Sequence, residues 1–216
     1  MERSRPFVIM SAAMSIDGKI ATKNGDSKLS SKQDLVRLHR MRANVDAILV
    51  GKNTVEVDDP LLTVRYTKGK NPVRIILDSK AQIKPRSKIL KTAHIIPTII
   101  AVSKNAPKKN LARLDKYPVE VMVIGDNKID LRKLLVVLKK RGIKTVLAEG
   151  GGTMNWEMVN RRLVDRLVIT VTPYLVGGAD AITLVEGTGF AKIQNAVKLK
   201  LRNVSRQKNE LVLYYS

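Results

Sequence analysis

Leu147-Ala148-Glu149-Gly150-Gly151-Gly152-Thr153-Met154-Asn155-Trp156 is the stretch around which the chain can be read. The apolar run Thr145-Val146-Leu147-Ala148 has the character of a buried strand. Three glycines end it, and a helical pattern follows with Trp156, Val159 and Leu163 spaced for one face. A strand, a glycine turn and a helix start together aim backbone N–H groups at an anion: glycine lets the backbone come close, and the helix N-terminus adds partial positive charge. Thr153 can cap the helix or give its hydroxyl to the same anion. A tight turn with no ligand would account for one glycine. Three in succession favour an anion site.

Outward from that stretch, strands and helices alternate. Phe7–Met14 reads as a first buried strand, Asp46–Val50 as a second and Val73–Asp78 as a third, with Pro97–Ser103, Val119–Ile124 and Arg166–Pro173 continuing the series. Ser31 is an N-cap candidate with Asp34 three residues on, and Leu35, Leu38 and Met41 follow at helical spacing. Asn44 ends that helix. A short helical turn runs from Gly51 to Val57 and stops before Pro60, Leu61–Arg65 is extended, and Lys108–Lys116 is a helix. Asp130 caps an amphipathic helix whose Leu131, Leu134, Leu135 and Leu138 share a face, and Gly142 suits the position just past its end. Val197–Leu201 and Leu211–Tyr215 alternate around a polar turn, as an antiparallel hairpin would. The pattern predicts an α/β fold: a mostly parallel central sheet, helices on both faces and a C-terminal antiparallel hairpin. No linker or repeat divides residues 1–216, which predicts a single domain.

Composition narrows the chemistry. There is no cysteine, which excludes disulfides, thiolate metal sites and cysteine nucleophiles. The two histidines, His39 and His94, lie far apart and outside any HExxH frame, so no metal site is expected. His39 falls in a helix and reads as a surface or packing residue. Forty Lys and Arg against nineteen Asp and Glu give a net charge of +21, which raises the question of nucleic acid. The basic residues are scattered, aromatics are 4% of the chain and no nucleic-acid motif occurs, so anionic small molecules are the better match. No apolar stretch approaches the ~18 residues of a membrane span, and the segment Met1–Pro6 lacks the apolar core of a signal peptide. A cytoplasmic protein with no membrane and no nucleic-acid partner is expected.

Several landmarks then fall into a familiar order: Ser15-Ile16-Asp17-Gly18-Lys19-Ile20-Ala21, Asp26-Ser27, Arg42-Ala43-Asn44, Gly51-x-x-Thr54, Asp58-Asp59-Pro60-x-Leu62-Thr63-Val64-Arg65, Asp78-Ser79 and Glu149-Gly150-Gly151-Gly152-Thr153. The set resembles the riboflavin-biosynthesis reductases, both stand-alone archaeal and fungal forms and the reductase domain of bacterial deaminase–reductases. The resemblance covers essentially the whole chain. It implies a dihydrofolate-reductase-like fold, a homodimer and NADPH as cofactor, with NADH the other option. It also implies reduction of a ribosylaminopyrimidine 5′-phosphate to its ribitylamino form. With no deaminase half, the stand-alone form implies the still-aminated 2,5-diamino-6-ribosylamino-4(3H)-pyrimidinone 5′-phosphate as substrate.

By the same resemblance Ala13, Thr54, Asp58, Ser79, Lys80, Gly150, Gly151, Gly152 and Thr153 serve the cofactor, and Ser27, Arg42, Leu62, Arg65 and Glu149 serve the substrate. Gly150–Thr153 would face the cofactor diphosphate while Glu149, one residue earlier, faces the substrate. Taken singly, Thr54 reads as a helix cap, Asp58 as a turn residue, Arg42 as a helix-end cation and Leu62 as core. No general acid is assigned: Asp17, Lys19 and Glu149 are candidates, Asp17-Gly18 reads mainly as turn chemistry, and bacterial members often carry a lysine where Ser11 stands. Two alternatives stay open. One keeps the fold but acts on the deaminated pyrimidine or a dihydropterin. The other is a basic nucleic-acid-binding protein.

Overall fold

The structure is a computed structural model that describes residues 3–216; Met1 and Glu2, the first residues of the segment Met1–Pro6, lie outside the described residues. In chain order the elements are β1 (Phe7–Met14), β2 (Lys19–Ala21), α1 (Lys32–Ala43), β3 (Ala47–Gly51), α2 (Lys52–Asp58), β4 (Val73–Leu77), α3 (Lys88–Lys91), β5 (Thr98–Val102), α4 (Lys108–Leu114), β6 (Glu120–Val123), α5 (Leu131–Lys140), β7 (Thr145–Ala148), α6 (Gly152–Asn160), β8 (Arg166–Val171), β9 (Ile182–Thr183), β10 (Leu201–Gln207) and β11 (Glu210–Tyr215). They form two compact units. One comprises His39–Leu147 with the N-terminal residues up to Phe7; the other comprises Val8–Leu38 and Ala148–Ser216.

In the first unit the strand order is β7-β3-β4-β5-β6. β3, β4, β5 and β6 pair in parallel. Parallel strands carry helical crossovers and are buried, which is why Ile48, Leu49, Ile75, Ile76 and Ile100 are inaccessible. α5 shows how local chemistry ends a helix here. The Asp130 carboxylate accepts from the Lys133 N–H at 3.0 Å, and Gly142, at φ +87°, follows the last turn. Its four leucines are buried as their spacing predicts.

In the second unit the order is β10-β11-β8-β1, with β1 and β8 parallel and β8, β11 and β10 antiparallel. The Ser31 hydroxyl caps α1 through the Asp34 N–H at 3.2 Å. Asp34 itself is buried, and its carboxylate accepts from Arg37 Nε at 2.8 Å and Thr170 Oγ1 at 2.6 Å. Glu210 binds the Ser31 N–H and hydroxyl at 2.9 and 2.6 Å, tying the start of β11 to the start of α1.

Three sequence expectations need correction. The first hairpin strand is Leu201–Gln207, not Val197–Leu201. β10 is a solvent-facing edge strand, so its sequence, Leu201-Arg202-Asn203-Val204-Ser205-Arg206-Gln207, carries no apolar alternation to reveal it. The buried residues of α6 are Gly152, Met154, Asn155, Trp156 and Met158; Val159 is only half-buried, and Leu163, fully buried, lies beyond the helix end. The extended segment Leu61–Arg65 joins no strand and turns at Leu62, which is buried in the left-handed region at φ +52°.

Candidate functional site

In the first unit the carboxyl edge of the parallel strands, where open α/β sheets place their ligands, carries four of the expected cofactor residues, Thr54, Asp58, Ser79 and Lys80. Gly51 at the end of β3 pairs with Leu77 at the end of β4, so the start of α2 and the turn Asp78–Lys80 are neighbours. Thr54 and Asp58 are four residues apart on one face of α2. The N-cap of α2 is Gly51, so Thr54 is not the cap its sequence context allowed. Asp58 closes the helix, and Asp59 turns left-handed at φ 39°. The buried Asp78 carboxylate accepts from the Ile83 N–H at 2.6 Å. The Ser103 N–H and hydroxyl both donate to the Ser79 carbonyl, at 3.1 and 2.9 Å, and Asn110 donates to the Lys80 carbonyl at 2.8 Å. That turn is therefore rigidly built, with Ser79 half-buried and Lys80 exposed on it.

The same unit gathers three of the expected substrate residues. Segment 61–66 has no strand or helix to satisfy its backbone, and side chains from elsewhere do so. Arg74 Nη1 donates to the Leu61 carbonyl at 3.2 Å, Arg42 Nη1 to the Thr63 carbonyl at 3.0 Å, and Asn71 Oδ1 accepts from the Val64 N–H at 2.7 Å. Arg42 is buried in the last turn of α1. Arg65 is exposed, bonded through Nη1 to Thr63 Oγ1 at 2.7 Å, with its guanidinium carbon 5.9 Å from the centre of the Tyr66 ring. Arg42 thus supports the segment by a backbone contact, and Arg65 leaves an exposed guanidinium beside Thr63 and Tyr66.

Sequence reading missed the residue between them. His39 is buried, the packing side of its sequence reading, and what that reading lacked is the bond its Nδ1 accepts from the Arg65 N–H at 2.8 Å. Burial, with the Arg42 and Arg65 charges beside it, lowers its pKa to about 4. Its i, i+3 spacing to Arg42 was the available signal. Arg74 was also unmarked. It is fully buried and donates to the Ile89 carbonyl and to both Thr92 and Thr98 hydroxyls as well as to Leu61.

In the second unit β7 ends at Ala148, with Glu149 half-buried after it. Gly150 has φ +92° and is joined to Gly151 by a cis peptide bond. Gly151 is the N-cap of α6 and bears no side-chain cap. Thr153 lies inside the helix, exposed, so it does not cap it. The glycines also have an internal explanation. A Cβ on Gly152 would meet the Thr183 carbonyl oxygen and Glu186 Cγ at 2.6 Å, and one on Gly187 would meet the Trp156 ring at 2.0 Å. Segment 182–187 therefore packs directly on α6, and the Glu186 N–H donates to the Gly152 carbonyl at 3.0 Å. Asn155, wholly buried, donates to the Leu184 carbonyl at 2.8 Å, while its Oδ1 has no partner.

Ala13 sits on β1 opposite Thr170, and Ser11, two residues earlier, is buried with an unpartnered hydroxyl. Ser27 is exposed in the loop before α1. Asp17 accepts from the Val176 and Gly177 N–H groups at 3.0 and 2.7 Å. Bonding from Ser15 and those two amides holds its carboxyl well below the usual carboxylate range, so Asp17 builds a turn and is a poor proton donor at neutral pH. Lys19 Nζ donates to the Ala181 carbonyl at 3.3 Å. Among the described residues no group of three or more His, Asp or Glu could hold a metal ion, and no helix is long and apolar enough to cross a membrane.

Comparison with known proteins adds four likenesses. The RibD C-terminal domain family matches residues 6–213. A 2,5-diamino-6-ribosylamino-4(3H)-pyrimidinone 5′-phosphate reductase of Aquifex aeolicus is 45% identical over 204 residues, which are 92% of this chain and 91% of the relative. A protein of the same description from Methanothermobacter thermautotrophicus is 42% identical over 215 residues, 98% of each. Among solved structures, a Thermotoga maritima diaminohydroxyphosphoribosylaminopyrimidine deaminase/5-amino-6-(5-phosphoribosylamino)uracil reductase superposes with a TM-score of 0.82 at 28% identity, covering 98% of this chain and 56% of that one.

Proposed function

The chain belongs to the RibD C-terminal domain family, and from that premise we propose reduction by NADPH of 2,5-diamino-6-(5-phosphoribosylamino)pyrimidin-4(3H)-one to its ribitylamino form. It is an oxidoreductase of riboflavin biosynthesis acting on a ribosylaminopyrimidine phosphate. The observation that carries the phosphate ester is the grouping of Arg42, His39 and Arg65 around segment 61–66, which leaves one guanidinium exposed. A planar guanidinium suits a phosphate better than a lysine does.

The cofactor assignment rests on features each unit shows alone. In the second, the N-terminus of α6 opens on Gly151 without a side-chain cap, and the exposed Thr153 hydroxyl stands in its first turn. Those groups fit a diphosphate. In the first, Thr54, Asp58, Ser79 and Lys80 gather at the carboxyl edge of β3 and β4. A hydroxyl beside a lysine fits a ribose 2′-phosphate, which favours NADPH over NADH. When bound, the nicotinamide supplies a hydride.

The reaction requires the ribosylamine to open: C1′–O4′ breaks, the N–H proton passes to O4′ and a C1′ imine is left; addition of a hydride to C1′ and a proton to nitrogen then gives the amine. Within the first unit Arg65 holds the 5′-phosphate and Leu62 lines the substrate; in the second unit Ser27 and Glu149 are the residues assigned to substrate. The hydrogen bonds that keep Asp17 ionised disfavour it as the proton donor. Residues 1–216 act as one reductase domain, as a cytoplasmic homodimer.

Loss of NADPH absorbance with the aminated pyrimidine phosphate, its deaminated counterpart and dihydrofolate tests the reading. The expected order places the aminated substrate first. No oxidation with either pyrimidine overturns the activity, and a preference for dihydrofolate moves the chain to pterin chemistry.

A further inference from the structure

His39 accepts where most helix residues could only pack. Its Nδ1 lies 2.8 Å from the Arg65 nitrogen and 3.4 Å from the Tyr66 nitrogen, and both are N–H donors. An accepting Nδ1 carries no proton, so the imidazole hydrogen sits on Nε2. Arg42 Nη1 lies 3.4 Å from that Nε2. Two donors face each other there, so that approach is a packing contact and not a hydrogen bond. The Tyr66 ring meets the imidazole edge-on, with centroids 4.6 Å apart. The charged groups facing the ring are the Arg42 and Arg65 guanidiniums, both cationic, so nothing described rewards a second ring proton.

The clamp acts on one residue in particular. The Arg65 N–H belongs to a segment with no ladder of its own, and His39 is the acceptor the fold supplies for it. The Arg65 side chain folds back to Thr63 and Tyr66, so its aim depends on where its backbone is held.

We propose that His39 is a positioning residue for the substrate: its unprotonated Nδ1 fixes the Arg65 backbone so that the guanidinium meets the substrate phosphate. This inference rests on the assignment of Arg65 to that phosphate. It makes no contact between His39 and the reacting atoms. What the site needs from position 39 is an acceptor at the place of Nδ1, which the side-chain carbonyl of asparagine can supply and leucine cannot.

The test is steady-state kinetics of the full chain and its His39→Leu, His39→Asn and Arg65→Ala variants. Each is measured with the phosphorylated ribosylaminopyrimidine and with its dephosphorylated counterpart. His39→Leu should raise KM for the phosphorylated substrate about 10- to 100-fold, with kcat and the KM for NADPH within about threefold of wild type. His39→Asn should recover most of that loss, and with the dephosphorylated substrate the His39→Leu loss should be far smaller than with the phosphorylated one. His39→Asn as impaired as His39→Leu, or an equal loss on both substrates, overturns the proposal. If Arg65→Ala raises KM while His39→Leu does not, the positioning role alone fails. If Arg65→Ala leaves KM unchanged, the phosphate assignment fails and takes the His39 role with it. Should His39→Leu not fold, His39→Gln replaces it. Its carbonyl reaches past the Nδ1 position, so it should be impaired where His39→Asn is not, and equal behaviour of the two overturns the proposal.

Discussion

Segments 61–66 and 149–152 both leave regular structure where a ligand is expected, yet they are held by opposite means. The first is held by side chains. Arg74, Arg42, Asn71 and His39, spread over more than thirty residues of sequence, each satisfy one of its backbone groups. The second is held by the absence of side chains. Gly150 adopts φ +92°, and Gly152 leaves room for Thr183 and Glu186. A segment fixed by distant polar groups should fail when a partner is removed. A segment fixed by missing atoms should fail when one is added.

The largest effect should come from Arg74→Met. Removing a fully buried guanidinium strands the carbonyls of Leu61 and Ile89, costing about 4 kcal/mol and lowering Tm by roughly 8–16 °C in thermal melts. A melt unchanged within a degree would mean the first segment holds itself. Next, Gly152→Ala presses a Cβ against the Thr183 carbonyl oxygen, part of a backbone and unable to swing away. We expect a loss of about 3 kcal/mol with weakened NADPH binding. Wild-type stability with wild-type affinity would show that packing does not require glycine there.

A third test uses pH. His39 has its folded pKa lowered from 6.5 to about 4, so the unfolded chain takes up its proton first as pH falls. The contribution is complete above about pH 6.5, declines between there and about pH 4, and amounts to about 3 kcal/mol in denaturant titrations. His39→Asn should remove that part of the slope; an unaltered slope would locate the titration elsewhere. The smallest effect sets a local baseline. Asp130→Ala removes one exposed helix cap and should cost about 1 kcal/mol by the same melts, well below the Arg74 effect. Equal losses would erase the distinction between local and distant support.

The same contrast explains how much could be read from sequence. Buried parallel strands are short apolar runs, and Phe7–Met14 and Thr145–Ala148 stand where those runs placed them. Caps are local too, so Ser31, Asp130 and Gly142 were legible within a few residues of their partners. The glycine turn announced itself, although part of its reason is the packing of segment 182–187, far along the chain. Polar side chains that satisfy remote backbone leave no such trace. Arg74 sits in an apolar strand with no carboxylate to pair with, and His39 looks like any helix residue until Arg65 folds onto it. β10 was misplaced because an exposed edge needs no apolar pattern.

The central claim is a division of labour: the side-chain-clamped segment serves the substrate phosphate and the glycine turn serves the cofactor. One measurement addresses it most directly, the pair of Michaelis constants of Arg65→Ala. The account predicts that KM for the pyrimidine phosphate rises on the order of 100-fold while KM for NADPH stays near that of the wild type. Equal rises in both constants, or a rise for NADPH alone, would contradict it.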